Sequence, residues 1–504
     1  MEKNLFHRTT GTLAEWLRYH FVTKKMTTPL GIALFGFMAI AIAYITVLVD
    51  FKLSLGLVSA FGIVLLCALC IVYPLFGFYA SYVSSLFLLF PTRIMNTAMP
   101  LPTGMIPEYL AYLALLGVLT RQNLRKEINS QFWTYSITIW MMVLLAYNLL
   151  QLVNPSMGSA FGWFNFFRKQ VSFVAFFYIS FCFLNSRKAI TRFTKFWIVI
   201  STIEALYACK QQWFGFFEFE HVWLMSDPKR IDLFINWGFI RRFGLLSDPA
   251  AAGILYSCST VLMLVLALRA KKIQQQLLYY SLTVIHFMAS SYTGTRTGTM
   301  MIIAGIVFYC VLTLYERKTL IFSAFIGFMI TVLMVVPIYD NPIINRLRST
   351  FEGSKDPSAM ARDINRKIVQ PYAYRHPIGG GLNSAGMMGL MYSPGHPMAI
   401  IPPDSGYMQA MMEQGPIGLA LLLIFYYVIL RTGIKCYYRL RDPGLQTTCV
   451  AHLVAIFTMM VAQFSQLAIG QYPSVLYFYS VLALLLKMPK YDSTKPIIIA
   501  QDKL

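Results

Sequence analysis

The sequence is dominated by uninterrupted apolar runs of roughly 20 residues, which is the length that an α-helix needs to cross a membrane. In a bilayer the backbone must satisfy its own hydrogen bonds, so continuous runs predict helices rather than the alternating strands of a membrane barrel. Hydrophobic residues make up 57% of the chain and charged residues 12%. This composition excludes an ordinary soluble domain. The predicted fold is an all-α polytopic membrane protein with about 12–14 transmembrane helices.

The apolar runs also divide the chain into regions, with limits that hold to a few residues. The predicted spans are 29–50, 53–73, 74–90, 106–120, 132–152, 169–185, 189–208, 248–269, 276–293, 297–315, 318–338, 406–430, 446–467 and 472–487. The predicted regions are an interfacial segment at 1–28, N-terminal transmembrane helices at 29–338, a large loop at 339–405, C-terminal transmembrane helices at 406–487 and a tail at 488–504. The first residues lack the short apolar core of a signal peptide, which favours a cytoplasmic interfacial helix.

The net charge of +21 comes largely from short loops between the predicted spans. With a cytoplasmic N-terminus, the loops that fall inside are all basic, as the positive-inside rule requires; they are 121–131, 185–189, 269–272, 316–318 and 431–444. The basic charge therefore indicates topology rather than nucleic-acid binding. Both termini are predicted to be cytoplasmic, and the 339–405 loop lies on the opposite side.

The eight cysteines lie in or beside apolar runs and form no metal-like cluster. We therefore expect neither a disulfide scaffold nor a zinc site. The sequence offers no Asp-x-Asp pair beside the large loop, and no metal or other cofactor is predicted.

The 339–405 loop carries the polar features around which the chain is arranged. It contains an amphipathic basic segment with Arg362, a His-Pro turn into three glycines (Gly379, Gly380, Gly381), and Asp404 where the chain re-enters the membrane. Loops of this length are usually functional or disordered. This loop is predicted to be ordered, and a mobile tether between helices is the alternative.

Several arginines on the same predicted side need anionic partners. Arg296 stands at the mouth of a span, where an unpaired guanidinium beside hydrocarbon is costly. It could extend to lipid headgroups or form an anion site, since a guanidinium matches phosphate oxygens and Gly294 and Gly298 allow close approach. Arg241 and Arg242 form a second candidate, before a span that Asp248 and Pro249 would start.

Other polar residues in apolar segments are predicted to be structural. Glu204 is expected to cap or pair, with a proton pathway as the alternative. His286 and His452 are expected to form hydrogen bonds between helices. The methionines of the large loop, Met387, Met388, Met391 and Met398, are expected to be flexible apolar packing, including against lipid chains.

Taken together, these motifs resemble the O-antigen ligase and O-antigen polymerase superfamily. They are R-x-x-G before D-P at 241–249, T-G-T-R at 293–296, HPIGGG at 376–381, and D-S-G-Y-x-Q-x-x-x-E-x-G-x-x-G from Asp404. The resemblance covers roughly residues 210–418. One departure concerns Asp404, because many ligases have a His there within H-N-x-Y.

The resemblance implies a GT-C type fold in the bacterial inner membrane, with the large loop and the active site on the periplasmic face. The implied reaction transfers a glycan from an undecaprenyl-diphosphate carrier to a hydroxyl of lipid A-core or another glycan, without nucleotide or metal. The implied diphosphate-binding residues are Arg241, Arg242, Arg296, Arg362 and Arg375. The implied catalytic residues are Asp404 and Glu413, and the implied loop and backbone residues are Gly379, Gly380, Gly381 and Tyr407.

Alternatives remain at this stage. A lipid-linked oligosaccharide flippase or another transporter would share the helix count but would be expected to show paired halves. A non-catalytic assembly protein would leave Arg296 and Asp404 replaceable. Asp404 could also be the N-cap of the following helix rather than a base. The choice between ligase and polymerase, the glycan, the acceptor and the oligomeric state stay open.

Overall fold

The computed structural model describes residues 51–95, 103–121, 131–236, 238–317, 319–324 and 357–492, with isolated positions between 28 and 44. The predicted segment at 1–28, the span at 29–50, most of the span at 318–338, residues 339–356 and most of the tail therefore lie largely or wholly outside the described residues. The described residues are predominantly helical, which confirms the predicted all-α membrane fold.

The N-terminal half contains mostly long apolar helices. They are α1 (Phe51–Val72), α2 (Pro74–Leu86), α3 (Phe90–Met95), α4 (Ile106–Leu119), α5 (Ser136–Leu150), α6 (Ala160–Phe183) and α7 (Arg187–Trp213). Two short helices follow, α8 (Glu218–Met225) and α9 (Pro228–Phe234). A small antiparallel hairpin then pairs β1 (Ile235–Asn236) with β2 (Phe239–Ile240).

The described residues of the C-terminal half form three closely packed helices, two loop helices and three further long helices. The first three are α10 (Pro249–Arg269), α11 (Ile273–Tyr292) and α12 (Arg296–Leu312). Two helices then lie in the described part of the large loop, α13 (Pro357–Arg375) and α14 (Gly386–Tyr392). The last three are α15 (Gly406–Arg439), α16 (Pro443–Ala462) and α17 (Ser474–Lys487).

By length and composition, six of the described helical stretches could each cross a membrane. They are Pro74–Ile94, Ser136–Val153, Ala160–Phe183, Pro249–Arg269, Gly406–Arg439 and Pro443–Ala462. Their positions agree with predicted spans, while the total of about 12–14 and the GT-C type remain predictions.

Two helices extend beyond the predicted spans because they contain polar residues that hydropathy excludes. Helix α6 begins at residue 160, since Ser159 caps it by accepting from the Gly162 amide at 3.2 Å. Helix α7 continues past its apolar part to Trp213, and Gln211 in that last turn is buried in a hydrogen-bond network. Polar residues can be helical where tertiary partners satisfy them.

The chain divides into two compact units. One comprises Met1–Tyr82 and Met105–Thr134, and the other comprises Val83–Gly104 and Tyr135–Leu504. In the first unit α1 packs against α4. In the second unit α10 packs against α7, α11, α12 and α16, while α15 packs against α5, α13 and α16. The predicted site residues all belong to this second unit.

Buried polar side chains join the helices of the second unit. His452 contacts the hydroxyl of Thr194 at 2.9 Å and that of Tyr477 at 2.7 Å. His286 contacts the hydroxyl of Ser201 at 3.2 Å. Both histidines are therefore interhelical hydrogen-bonding residues, as predicted.

Candidate active site

Helix α15 is interrupted at Gly415, and the glycine-rich loop binds to the interruption. Pro416 has no N–H, so the carbonyl of Met412, four residues earlier, has no helical donor. The amide of Gly380 donates to this carbonyl at 2.9 Å. A loop residue thus replaces the hydrogen bond that the proline removes.

The loop also supplies the hydrogen-bond partners for the next residue of the helix, Ile417. The amide of Ile417 donates to the carbonyl of Pro377 at 3.4 Å, outside the helix. In an uninterrupted helix the Ile417 amide would donate to the carbonyl of Glu413. That carbonyl instead accepts from the amide of Gly381 at 2.9 Å. The HPIGGG segment is therefore bound to a membrane helix through its backbone.

Glycine is required at this junction by both conformation and space. Gly415 has φ of 70° and Gly379 has φ of 81°, a region that side chains rarely adopt. A Cβ atom on Gly379 would lie 2.4 Å from the backbone nitrogen of Gly415. The two chain segments approach too closely for any other residue.

Polar side chains of the segment 147–154 hold the same junction. Asn154 Nδ2 donates to the carbonyl of Gly379 at 3.1 Å, and the Tyr147 hydroxyl donates to the carbonyl of Gln414 at 2.6 Å. The Gln414 side chain donates to Asn148 Oδ1 at 2.9 Å. The sequence motifs gave no indication of this set, because its members are scattered polar residues in and after a span.

Glu413, one of the predicted catalytic residues, is only 1% exposed. Gln409 Nε2 donates to its carboxylate at 3.3 Å, and the amides of Asn383 and Ala385 also bind it. Asn383 has φ of 57°, the left-handed conformation that places its amide in the loop turn. These contacts give Glu413 a role in shaping the loop, and its catalytic role remains a prediction.

His396 lies beside the glycine loop. Its Nδ1 accepts from the Met398 amide at 3.1 Å, which places the proton of the neutral ring on Nε2. Nε2 is 3.3 Å from the hydroxyl of Tyr372, whose ring stacks on His376 with centroids 4.0 Å apart. Burial, and then the nearby His376, lower the pKa of His396. The neutral form is therefore favoured.

Asp404 is not the N-cap of α15. The hydroxyl of Ser405 accepts from the amide of Met408 at 3.0 Å and makes Ser405 the cap. Asp404 is half-buried, and its Oδ2 accepts from Asn365 Nδ2 at 2.7 Å. The cap hypothesis for Asp404 was therefore wrong, because the helix begins at Gly406 and the N-cap position is Ser405.

Arg241 joins the loop before α10 to the turn before α12. Its Nε donates to the carbonyl of Thr293 at 2.8 Å, and its Nη2 donates to the Thr295 hydroxyl at 3.0 Å. The Thr295 hydroxyl in turn donates to the carbonyl of Pro249 at 2.9 Å. Arg241 thus fixes the turn that immediately precedes Arg296.

Arg242 is held on the other side of the same loop. Its Nε donates to Gln212 Oε1 at 2.9 Å, and its guanidinium lies 4.7 Å from the centroid of the Phe216 ring. Burial lowers the pKa of this guanidinium.

The predicted cap of α10 is confirmed, since Asp248 Oδ1 accepts from the amides of Ala250 and Ala251.

The remaining predicted arginines occupy different settings. Arg296 is half-buried and is the first residue of α12. Arg375 is exposed at the last residue of α13. Arg362 lies within α13, but its side chain is outside the described part of the chain.

The turn after α16 brings two helix starts together. The amide of Gly406, the first residue of α15, donates to the carbonyl of Gln463 at 2.9 Å. The hydroxyl of Thr297, in the first turn of α12, lies 2.8 Å from that of Ser465. The N-terminal ends of α12 and α15 therefore meet at residues 463–466. Tyr407, a predicted site residue, supports this arrangement by donating to the carbonyl of Met460 at 2.8 Å.

A buried arginine that was not predicted organises the loop carrying Arg241. Arg93 is fully buried and donates through Nη1 to the carbonyl of Gly244 at 3.1 Å and through Nη2 to that of Leu246. Its guanidinium also lies 4.9 Å from the centroid of the Trp223 ring. An arginine directly after the apolar run at 74–90 was the available signal, because a charge beside hydrocarbon requires partners.

Arg93 binds carbonyls of the loop that carries Arg241, and two residues of α7 bind backbone amides of that loop. Glu204 Oε1 accepts from the amide of Leu245 at 2.8 Å, and Gln211 Oε1 accepts from the amide of Gly244 at 2.9 Å. Glu204 thus pairs with the backbone, as predicted. Buried side chains therefore bind both the donors and the acceptors of this loop.

The fold and this arrangement define a polytopic α-helical membrane protein whose second unit contains the candidate site. Residues 281–423 match the O-antigen ligase family model. The match contains Arg296, the glycine loop, His396 and Asp404, whereas Arg241 lies outside it. It confirms the predicted resemblance to the O-antigen ligase and polymerase superfamily and indicates an enzyme of that type. No curated protein matches the sequence.

Proposed function

We propose that the protein transfers a glycan from an undecaprenyl-diphosphate carrier to a sugar hydroxyl, on the periplasmic face of the inner membrane. The acceptor oxygen would bond to the anomeric carbon while the bond from that carbon to the diphosphate breaks. The diphosphate leaves with its electron pair, and a base takes the proton of the acceptor. The glycosyl-diphosphate bond supplies the driving force, so no nucleotide is needed.

The meeting of the α12 and α15 N-termini at residues 463–466 is the observation that carries this proposal. Helix N-termini are the positive ends of the helix dipole and therefore favour a nearby anion. Arg296 begins one of these helices, and Asp404 stands two residues before the other. This proximity supports Arg296 as the proposed cation for the leaving diphosphate and Asp404 as the proposed base for the acceptor.

The arginines would then act at two levels. Arg296 is proposed to bind the diphosphate and to oppose its charge as the bond breaks, an electrostatic effect that needs no metal. Arg241 is proposed to position Arg296 through its contacts with Thr293 and Thr295. Arg242 and the exposed Arg375 extend the cationic surface that the donor would meet.

Asp404 is proposed as the base. Its position at the start of a helix is fixed independently by the Ser405 cap, so its carboxylate is available for another role. Asn365 holds one oxygen at 2.7 Å, which orients the carboxylate. A general base of this kind contributes about 10²- to 10⁴-fold to the rate.

The direct test uses the purified full-length protein, a carrier-linked glycan and a sugar acceptor, with a chelator and without nucleotide. Formation of a new glycosidic product with release of undecaprenyl diphosphate supports the proposal. Movement of intact carrier-linked glycan between leaflets, without a new bond, would instead identify a transporter.

Arg296→Ala should abolish product formation, and Arg296→Lys should also lose most of it because an ammonium lacks the bidentate fork. Arg192→Ala is the matched control, since Arg192 is exposed near the start of α7, whose other end contacts the site. Equal activity in Arg296→Ala and Arg192→Ala, at equal protein levels, would exclude the arginine site.

A further inference from the structure

The part of the large loop between His376 and Pro403 contains no Asp, Glu, Lys or Arg. Charged residues return immediately at both ends, with Arg375 and Asp404. Loops exposed to water are rich in charged and polar residues, because these residues are mostly found at the solvent-exposed surface. A segment without formal charge, placed between charged neighbours, indicates that its surroundings are less polar than water.

Helix α14 lies inside this segment and is attached to the beginning of α6. The ring of Tyr392, its last residue, packs edge-on against Phe161 with centroids 5.6 Å apart. Asn383 Nδ2, just before α14, donates to the carbonyl of Gly162 at 2.9 Å. Helix α6 is long and apolar enough to cross a membrane, and α14 therefore lies beside the first turns of a candidate membrane-spanning helix.

One face of α14 is closely packed and the other carries exposed methionines. A Cβ on Gly389 would lie 2.3 Å from the carbonyl oxygen of Ser384, so this side is in contact with the loop backbone. On the other side Met387 is 73% exposed and Met391 is 69% exposed. These two residues are one helical turn apart and therefore share a face.

The exposed face is adjacent to a second exposed apolar surface, on α6. Phe161 and Phe164, on the first turns of α6, are 64% and 50% exposed. On a membrane-spanning helix such aromatic residues near the end of the span typically contact the lipid interface. The methionine face and this aromatic surface are joined through the contact between Tyr392 and Phe161.

We infer that α14 is an interfacial helix whose Met387–Met391 face rests in the lipid bilayer, beside the beginning of α6. Short amphipathic helices of this kind bury their apolar side about 5–10 Å into the boundary between headgroups and acyl chains. Methionine suits this position because its flexible, unbranched side chain adapts to a disordered surface. The inference is independent of the proposed reaction.

Site-specific fluorescence in lipid nanodiscs tests this contact. A bimane label is placed at Met387→Cys or Met391→Cys in the full-length protein, and quenching is measured with nitroxides attached to lipid headgroups and shallow acyl positions. The labelled parent protein gives the background of the eight native cysteines. Arg366→Cys is the matched control, because Arg366 is 63% exposed on a helix of the same loop and pairs with Asp363.

Lipid nitroxides should quench the label at Met387 or Met391 at least several-fold more than the label at Arg366, and soluble iodide should show the reverse order. Quenching of the α14 labels by iodide alone would overturn the inference, since the face would lie in water. Protection from both quenchers would also overturn it, because the face would then be covered by protein, whether a second copy or another part of this chain.

Discussion

The amide of Gly380 donates to the carbonyl of Met412 across the interruption of helix α15, at 2.9 Å. This single hydrogen bond joins the large loop to a membrane helix at a point where Pro416 leaves the helix one donor short. The interruption of α15 at Gly415 and Pro416 therefore fixes the position of the loop that precedes this helix.

The first prediction concerns the space at Gly380. A Cβ there would lie 2.6 Å from His396 Cε1 and 2.8 Å from the Tyr372 hydroxyl. Gly380→Ala should therefore destabilise the protein by about 1–3 kcal/mol, as overpacked sites do. Thermal unfolding in one detergent would measure the change.

Gly395→Ala is the control for this substitution. Gly395 belongs to the same loop, but a Cβ there would meet nothing within 4 Å. Its unfolding temperature should stay near that of the parent. Similar losses at both positions would mean that the loop is sensitive to any change in glycine content, rather than to the contact with His396.

The second prediction separates the roles of Asp404 and Ser405. Ser405→Ala removes the cap and should cost about 1 kcal/mol of stability, with turnover largely retained. Asp404→Asn leaves the cap intact and should keep the unfolding temperature, but it removes the base and should lower turnover by about 10²- to 10⁴-fold. Stability and product formation are measured on the same preparations.

Asp404→His provides a further comparison, since many ligases have a histidine at this position. Partial turnover is expected, and the rate should rise with pH as the imidazole loses its proton. If Asp404→Asn formed product at the parent rate, Asp404 would not be the base, and Glu413 and His396 would be the next candidates.

The third prediction concerns the buried Arg93. Arg93→Lys keeps the charge but cannot bind the carbonyls of Gly244 and Leu246 with one planar group. A buried acceptor left without its donor costs about 1–3 kcal/mol. The unfolding temperature should fall, and product formation should fall with it because the loop carrying Arg241 loses its support.

Arg230→Lys is the matched control for Arg93. The Arg230 guanidinium also lies over the Trp223 ring, at 4.5 Å, but its side chain is 31% exposed. Water can replace its contacts, so the expected change is below about 0.5 kcal/mol. Equal effects at the two arginines would attribute the loss to the tryptophan contact and not to the loop carbonyls.

The fourth prediction concerns pH. Burial lowers the pKa of His396 in the folded protein, so below the ordinary histidine value the unfolded chain binds the proton more readily. The contribution of the neutral ring is complete above that value and is lost as the pH falls towards the folded pKa. The unfolding temperature should therefore decrease on acidification from neutral pH.

His396→Gln should flatten this dependence, whereas His221→Gln should not, because His221 is exposed on α8. Unfolding curves at several pH values, in one detergent and at constant ionic strength, would measure the difference. Parallel curves for the parent and His396→Gln would assign the dependence to other groups.

The sequence by itself determined the class of fold and most helix positions. Apolar runs of sufficient length are a local property, so they predict a membrane helix without knowledge of its neighbours. The same holds for the start of α10, where Asp248 and Pro249 act within one turn. The O-antigen ligase resemblance was also available, because its motifs are short and contiguous.

Only the tertiary structure decided how the site is held. Gly380 and Met412 are far apart in the chain, and Arg93 binds the carbonyl of Gly244, a residue 151 positions later. The choice of Ser405 over Asp404 as the cap was equally invisible, since both residue types favour that position. Hydrogen bonds between distant segments depend on where folding places each donor and acceptor, and that placement leaves no periodic signal in the sequence.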